Sequence, residues 1–205
     1  MKLYYTPGAC SFAVHLALHE VGARFEAIKV ELPAHTLPDG SNYHDISPRG
    51  YVPLLEFDDG SRHTEVGALL QYVGDLDASQ ALIGPYRSSR RQSVIEWLTF
   101  IGTELHKAFS PLWREETPAP TRIAATQALN RRFAELEQHF SRHDYLAGDF
   151  SVADAYCYTI LNWTRFLDIP LGAYPKIQAY LARVGARPAV QATMQAEALN
   201  QPAAA

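Results

Sequence analysis

Residues 2–23, KLYYTPGACSFAVHLALHEVGA, decide how this chain begins to fold. KLYY (2–5) has the composition of a buried strand, and Gly8 with Ala9 makes a turn. From Ser11 the pattern becomes helical, with Val14, Leu18 and Val21 at i, i+4 and i+7, and Gly22 ends the run. In RFEAIKVEL (24–32), Ile28, Val30 and Leu32 alternate, which predicts a second strand. The three pieces form a β-α-β unit, which favours a right-handed crossover and a parallel strand pair.

Outward from that unit, the segment from Pro33 to Pro48 lacks periodicity and reads as loop with room for one short helix. VPLLEFDDGSRHTE (52–65) reads as two short strands around an Asp-Asp-Gly turn, an antiparallel hairpin. After Glu65 a helix follows, with Leu69, Tyr72, Val73 and Leu76 on one face. The character changes at ASQALIGPYRSS (78–89). Beyond it lie helical stripes at Val94, Leu98, Ile101, Leu105, then at Leu129, Phe133, Leu136, Phe140, with ETPAP (116–120) between. Ser151 and Asp154 give an S-x-x-D capping signal for a third helix, and Ile177, Leu181 and Val184 mark a fourth. The tail NQPAAA (200–205) is expected to fray. The prediction is a small α/β domain over residues 1–80, a linker at 81–87, and an all-helical domain over 88–205.

The composition, 47% hydrophobic and 20% charged with a formal net charge of −4, is that of a globular chain. Arg87, Arg90 and Arg91 form the nearest thing to a basic cluster, too short for a nucleic-acid or membrane surface. No apolar run approaches the ~20 residues of a membrane span. Pro7 and Gly8 break any secretory apolar segment, and two distant cysteines make no disulfide framework, so cytoplasm is expected. The pairs His15/His19 and His139/His143 have metal-pair spacing but no HExxH and no evident third ligand; no metal is expected. Without a P-loop or G-x-G-x-x-G, no nucleotide cofactor is expected either.

Chemistry centres on Cys10, at the joint between strand and helix. The first helical N–H groups and the helix dipole gather there, which predicts a thiol with lowered pKa or a cradle for a ligand's sulfur. A small buried hydrophobe is the plain alternative. Cys157, inside a helical pattern, reads as core. No second cysteine sits at the joint, so a partner thiol would come from a cofactor, with glutathione the cellular candidate. Pro53 heads a strand; a cis Val52–Pro53 bond would present the Val52 backbone to an extended peptide, while a simple boundary proline is the alternative. Glu65 precedes a helix, where a carboxylate can bind an ammonium and the following N–H groups a carboxylate, or the glutamate can simply stabilise the helix start. Thr99, Thr103, His106 and Ser110 share a polar helix face.

MKLYYTPGACS, GYVPLLEFDDG, HTE before a helix, IEWLTFIGTELHKAFSPLW and LAGDFSVADAYCYTIL together resemble the bacterial beta-class glutathione S-transferases over nearly the whole chain. The resemblance implies an α+β, thioredoxin-like N-terminal domain that binds glutathione, an all-α C-terminal domain, and a homodimer. It implies that Cys10 holds glutathione as a mixed disulfide and that His106 lines the same site. It further implies that Val52, beside cis Pro53, pairs with the cysteinyl unit, and that Glu65 receives the γ-glutamyl group, with Val66, Thr99 and Thr103 alongside. Ser151 and Asp154 match a capping motif tied to folding. Three departures stand out: His35 where the class commonly has lysine for the glycyl carboxylate, Thr99 in place of asparagine, and Val66 in place of a small residue. They imply weaker glutathione binding than is typical.

Ser11 is expected near the ionising thiol with Tyr5 around the same site, and Phe109, Leu112 and Trp113 on the electrophile side, core packing being the alternative for the last three. The activity expected is conjugation of glutathione to hydrophobic electrophiles such as an aryl halide, epoxide or disulfide. The alternatives are reduction of disulfides or peroxides with Cys10 as nucleophile, or a non-catalytic binding protein on the same fold.

Overall fold

The computed structural model describes residues 1–199; the expectation for the tail 200–205 lies outside them. Four strands, β1 (Lys2–Tyr5), β2 (Glu26–Lys29), β3 (Leu54–Glu56) and β4 (Arg62–His63), form one sheet in the order β2-β1-β3-β4. β1 pairs parallel to β2, with Tyr4 opposite Ile28, and antiparallel to β3, with Leu3 opposite Leu55. The parallel pair is what the β-α-β reading predicts, and β3–β4 is the hairpin. At its turn, the Asp59 carboxylate accepts hydrogen bonds from the Ser61 N–H and hydroxyl.

Helix α1 (Ser11–Glu20) is buried on every side from Ser11 to Leu18. The stripe Val14, Leu18, Val21 accounts for only part of that, because α1 lies between the sheet and the second half of the chain: it packs on α2 (Val66–Leu76), α6 (Val152–Phe166) and α8 (Pro188–Ala196). Its two buried polar side chains, Ser11 and His15, are both hydrogen-bonded, as burial requires. The other sheet face is covered by the segment 33–53, where a short 3₁₀ turn (Tyr43–Asp45) buries Tyr43 completely against Tyr4, Val30, Val52 and Leu54. The Tyr43 hydroxyl donates to the Tyr51 carbonyl at 2.9 Å and so ties down the chain just before Val52.

Residues 77–88 carry no helix or strand, and helices follow from there. α3 (Ser89–Phe100) runs into a π-helical turn (Ile101–His106), then α4 (Lys107–Phe109) and a 3₁₀ turn (Ser110–Trp113). α5 (Ala119–Phe140), α6, α7 (Pro175–Gly185) and α8 complete the bundle. α8 is a separate helix that the sequence reading does not distinguish from the fourth stripe. Among the described residues, no helix is long and apolar enough to cross a membrane.

Candidate active site

A cleft of about 890 Å³ opens between the sheet-bearing half and the helices. Its floor is the turn from Pro7 to Cys10. One wall is Tyr51–Pro53 with the start of α2, and the other is the stretch from Leu98 to Lys107 with part of α6. Cys10, Val52, Pro53, Glu65, Val66, Thr99, Thr103 and His106, scattered over nearly 100 positions of sequence, all line it.

Cys10 caps α1, and its Sγ donates to the Val52 carbonyl at 3.4 Å. The Val52–Pro53 peptide is cis. The helix-start position predicts a lowered thiol pKa, and the structure reverses that expectation. Burial pushes the Cys10 thiol up to about 12, although the N–H groups of Cys10 and Ser11 pull the other way. Dehydrating a thiolate here costs more than the helix start returns. Ser11 stands behind the cysteine, fully buried, with its hydroxyl bonded to both the N–H and the carbonyl of Thr6 at 3.2 Å. Tyr5 is likewise buried, tilted against His15.

Glu65 is held at φ +71°, an uncommon backbone conformation for a residue with a side chain. Its carboxylate does not cap α2. It turns outward instead and accepts from Arg49 Nη1 at 3.3 Å, both side chains being exposed. As a helix-start stabiliser Glu65 therefore contributes only through its charge, with no capping hydrogen bond. The first N–H groups of α2, on Val66 and Gly67, have no partner among the described residues and belong to the cleft wall. A carboxylate beside free helix-start N–H groups matches an ammonium beside a carboxylate.

His106, at the end of the π-helical turn, is bonded through Nδ1 to the Tyr156 hydroxyl at 2.7 Å. Its ring stands edge-on to Trp163 at 4.8 Å. Burial, helped by the neighbouring Lys107 cation, lowers the His106 pKa to about 4, so the ring is neutral at physiological pH. Thr99 and Thr103 line the cleft, but their hydroxyl protons are spent on the carbonyls of Ile95 and Thr99, each at 2.9 Å. Ser110, on the same predicted face, is exposed and not part of the cleft.

Three expectations need correction. Phe109 is fully buried, continuing the Val94–Leu105 stripe into the core against Phe133 and Trp163. Leu112 also packs on the core and does not line the cleft. His35 is turned away: its ring lies tilted against His44 with centroids 4.3 Å apart, packed against Gly50 and outside the lining. Of the expected apolar residues only Trp113 reaches the cleft, 45% exposed, and the sequence reading misses its partners Trp163 and Phe166 from α6. It also misses Arg49 and Lys107, the cations of the lining; Lys107 is signalled only by its place beside His106. Of the histidine pairs, His15 bonds Glu197, His19 bonds Thr193 and His139 bonds the Tyr145 carbonyl.

Comparisons with known proteins agree with this geometry. Residues 8–76 match the model of the glutathione S-transferase N-terminal domain, and residues 97–188 that of the C-terminal domain. Glutathione S-transferase GstA of Escherichia coli O157:H7 is 38% identical, over 98% of this chain and 100% of its own. A sphingomonad glutathione S-transferase solved in complex with glutathione superposes with a TM-score of 0.93 at 39% identity, over 97% of this chain and 100% of that one. The bacterial beta-class enzyme of Sphingomonas chungbukensis gives a TM-score of 0.93 at 38% identity, over 97% and 100% of the two chains.

Proposed function

The chain belongs to the glutathione S-transferase family, and from that premise we propose how its cleft handles glutathione, the co-substrate, and which electrophiles it takes. The enzyme is a glutathione transferase. Glutathione lies extended along the Val52 backbone, its γ-glutamyl ammonium on Glu65 and the adjoining carboxylate on the Val66 and Gly67 N–H groups. This order runs its cysteinyl sulfur toward Cys10 and His106. The observation that carries the reading is Glu65, strained at φ +71°, turned from its helix and opening the N-terminus of α2 to the cleft.

The sulfur is held as thiolate by N–H donors at the start of α1 and by His106, with the Lys107 cation near. The released proton passes to water at the cleft mouth. The thiolate attacks the electrophilic carbon of an activated aromatic substrate, forming the S–C bond while the leaving group departs with its electron pair. Trp113, Trp163 and Phe166 offer flat apolar faces on that side, which favours aromatic electrophiles. Proximity and thiolate stabilisation are the enzyme's contributions.

Disulfide exchange is a second reading, favoured by one contact: Cys10 Sγ lies 3.4 Å from the carbonyl where the cysteinyl unit would pair. There the Cys10 thiol would attack a glutathione disulfide, leaving Cys10 bonded to glutathione while its proton goes to the departing glutathione sulfur. A homodimer in the reducing cytoplasm completes the proposal. The homodimer is supported by the sequence resemblance, and the compartment by a sequence with only two, widely separated cysteines.

The test pairs wild type with Cys10→Ala in two assays, conjugation of glutathione to an activated aryl halide and reduction of a glutathione mixed disulfide. Conjugation is expected to survive and reduction to vanish. If wild type catalyses neither, the catalytic reading is wrong; light scattering gives the oligomeric state.

A further inference from the structure

We propose that Tyr156 is a positioning residue: its hydroxyl, by donating to Nδ1 of His106, fixes the imidazole as the Nε2–H tautomer and aims that N–H at the glutathione sulfur. The proposal rests on the reading of the cleft as a glutathione site.

The hydrogen-bond inventory of the pair forces the choice. Tyr156 is 3% exposed, and its hydroxyl has one partner among the described residues, His106 Nδ1 at 2.7 Å. Gly102 on the facing π-helical turn leaves that oxygen room, since a Cβ added there would sit 3.7 Å from it. Two arrangements are possible. In one, the tyrosine O–H donates to a bare Nδ1 and the ring proton sits on Nε2. In the other, Nδ1–H donates to the tyrosine oxygen and the O–H is left without a protein acceptor among the described residues. Leaving a buried donor unpaired costs enough to bias the equilibrium about tenfold or more toward the first. Burial also raises the Tyr156 pKa, so the phenol keeps its proton.

Nε2 has no protein partner among the described residues and is not one of the buried, unpartnered side-chain atoms, so it opens to the cleft. The edge-on contact with Trp163 fixes the ring plane. The charged and titratable groups around the pair are Lys107, next in sequence to His106, and Cys10 and Glu65, which also line the cleft; none of them hydrogen-bonds to either ring. The consequence is a division of labour. A neutral histidine with its proton on Nε2 is a donor at the cleft and has no lone pair there, so it stabilises a thiolate and does not remove the thiol's proton. Second-partner control of a histidine tautomer is a general device.

The test begins with the protein free of ligand. Nitrogen-15 spectra of histidine-labelled wild type are expected to show His106 as Nε2–H, and Tyr156→Phe a mixture of tautomers. An Nδ1–H signature in wild type overturns the proposal, whatever the protein binds. In the second arm, the ultraviolet absorbance of bound thiolate is titrated against pH. Tyr156→Phe is expected to lower the thiolate-forming equilibrium constant and kcat/KM about tenfold, with the calorimetric Kd for S-methylglutathione, which has no thiol to ionise, unchanged. Equal thiolate titrations in the two proteins overturn the proposal. Absence of any glutathione binding by wild type defeats the functional reading instead, and the tautomer spectra still decide the role of Tyr156 in holding the ring.

Discussion

The carboxylate of Glu197, just past the end of α8, accepts a hydrogen bond from the N–H of Gly8 at 2.9 Å. Its other oxygen bonds buried His15 at 2.8 Å, and the Gly8 carbonyl accepts from Trp163 Nε1 at 2.9 Å. Both polar groups of one peptide residue, two positions before Cys10, are thus held by the helical half of the chain. The turn that sets the thiol is a product of both halves, which neither sheet nor bundle supplies alone.

Glu197→Ala leaves the Gly8 N–H and a buried histidine without their acceptor. The expected cost is about 3 kcal/mol, a drop of about 6–12 °C in Tm for a chain of this size. Differential scanning calorimetry checks it, and a drop under 2 °C would show that the bond carries no weight.

Glu65→Ala separates binding from folding. The Glu65–Arg49 pair is exposed on both sides, and such pairs contribute about 0–1 kcal/mol. Tm is therefore expected to stay within a few degrees. The KM for glutathione is expected to rise at least about tenfold, since an ammonium loses its charge-assisted partner. Steady-state kinetics at saturating electrophile decide it; an unchanged KM puts the head group elsewhere.

Much of this architecture is legible in the sequence because local patterns there agree with the tertiary result. The strand-turn-helix at 2–20 and the hairpin at 54–63 have the right turn residues, and the stripe from Val94 to Leu105 is buried as its spacing requires. The same stripe, extended by four, reaches Phe109, and following it would have assigned that ring to the core. Tyr43 gives no periodic signal, since it sits in a lone 3₁₀ turn, yet it holds the chain before Val52. Trp163 and Phe166 lie far along the chain from His106 and reach the cleft only because α6 packs beside α1 and the π-helical turn. The thiol's raised pKa is illegible for a similar reason: helix-start charge is a local property, and dehydration is a property of the assembled cleft.

His106 makes the fold acid-sensitive. Its pKa falls from 6.5 in the unfolded chain to about 4 in the folded one. Between those values the unfolded chain binds a proton there that the folded chain does not. The site's contribution is fully present above about 6.5 and is lost as pH falls toward 4. His106→Gln removes this dependence, so its Tm is expected to fall less than that of wild type between pH 7 and pH 4.5. Parallel acid shifts in the two proteins would exclude His106 as the cause.

Trp113 is half-open to the cleft and edge-on to Trp163 at 5.4 Å. Trp113→Ala removes a flat apolar face without touching the described head-group residues. The KM for an aryl halide is expected to rise about tenfold, the order of one aromatic contact plus its burial, with glutathione Kd by calorimetry unchanged. Equal effects on both ligands would mean that the substitution disturbs the whole cleft.

Asp154 tests the fold at its best-paired carboxylate. It is fully buried and accepts from the N–H groups of Leu146 and Ser151 at 3.0 and 2.9 Å, and from the hydroxyls of Ser151 and Tyr180 at 2.9 and 3.2 Å. Asn fits the same space but turns an NH₂ toward donors. Asp154→Asn is expected to cost about 3 kcal/mol near pH 4, again about 6–12 °C in Tm. Burial raises the Asp154 pKa from 3.8 to about 6 in spite of its four donors. Between those values the folded chain holds a proton that the unfolded chain has released, so the site stabilises most at the acid end of the window and less as pH rises through 6. The asparagine has no such titration, and the His106 effect is common to both proteins. The Tm gap between wild type and variant is therefore expected to be widest near pH 4 and to narrow toward pH 7; a gap that widens with pH would mean that the four donors outweigh dehydration and that the carboxyl is ionised throughout.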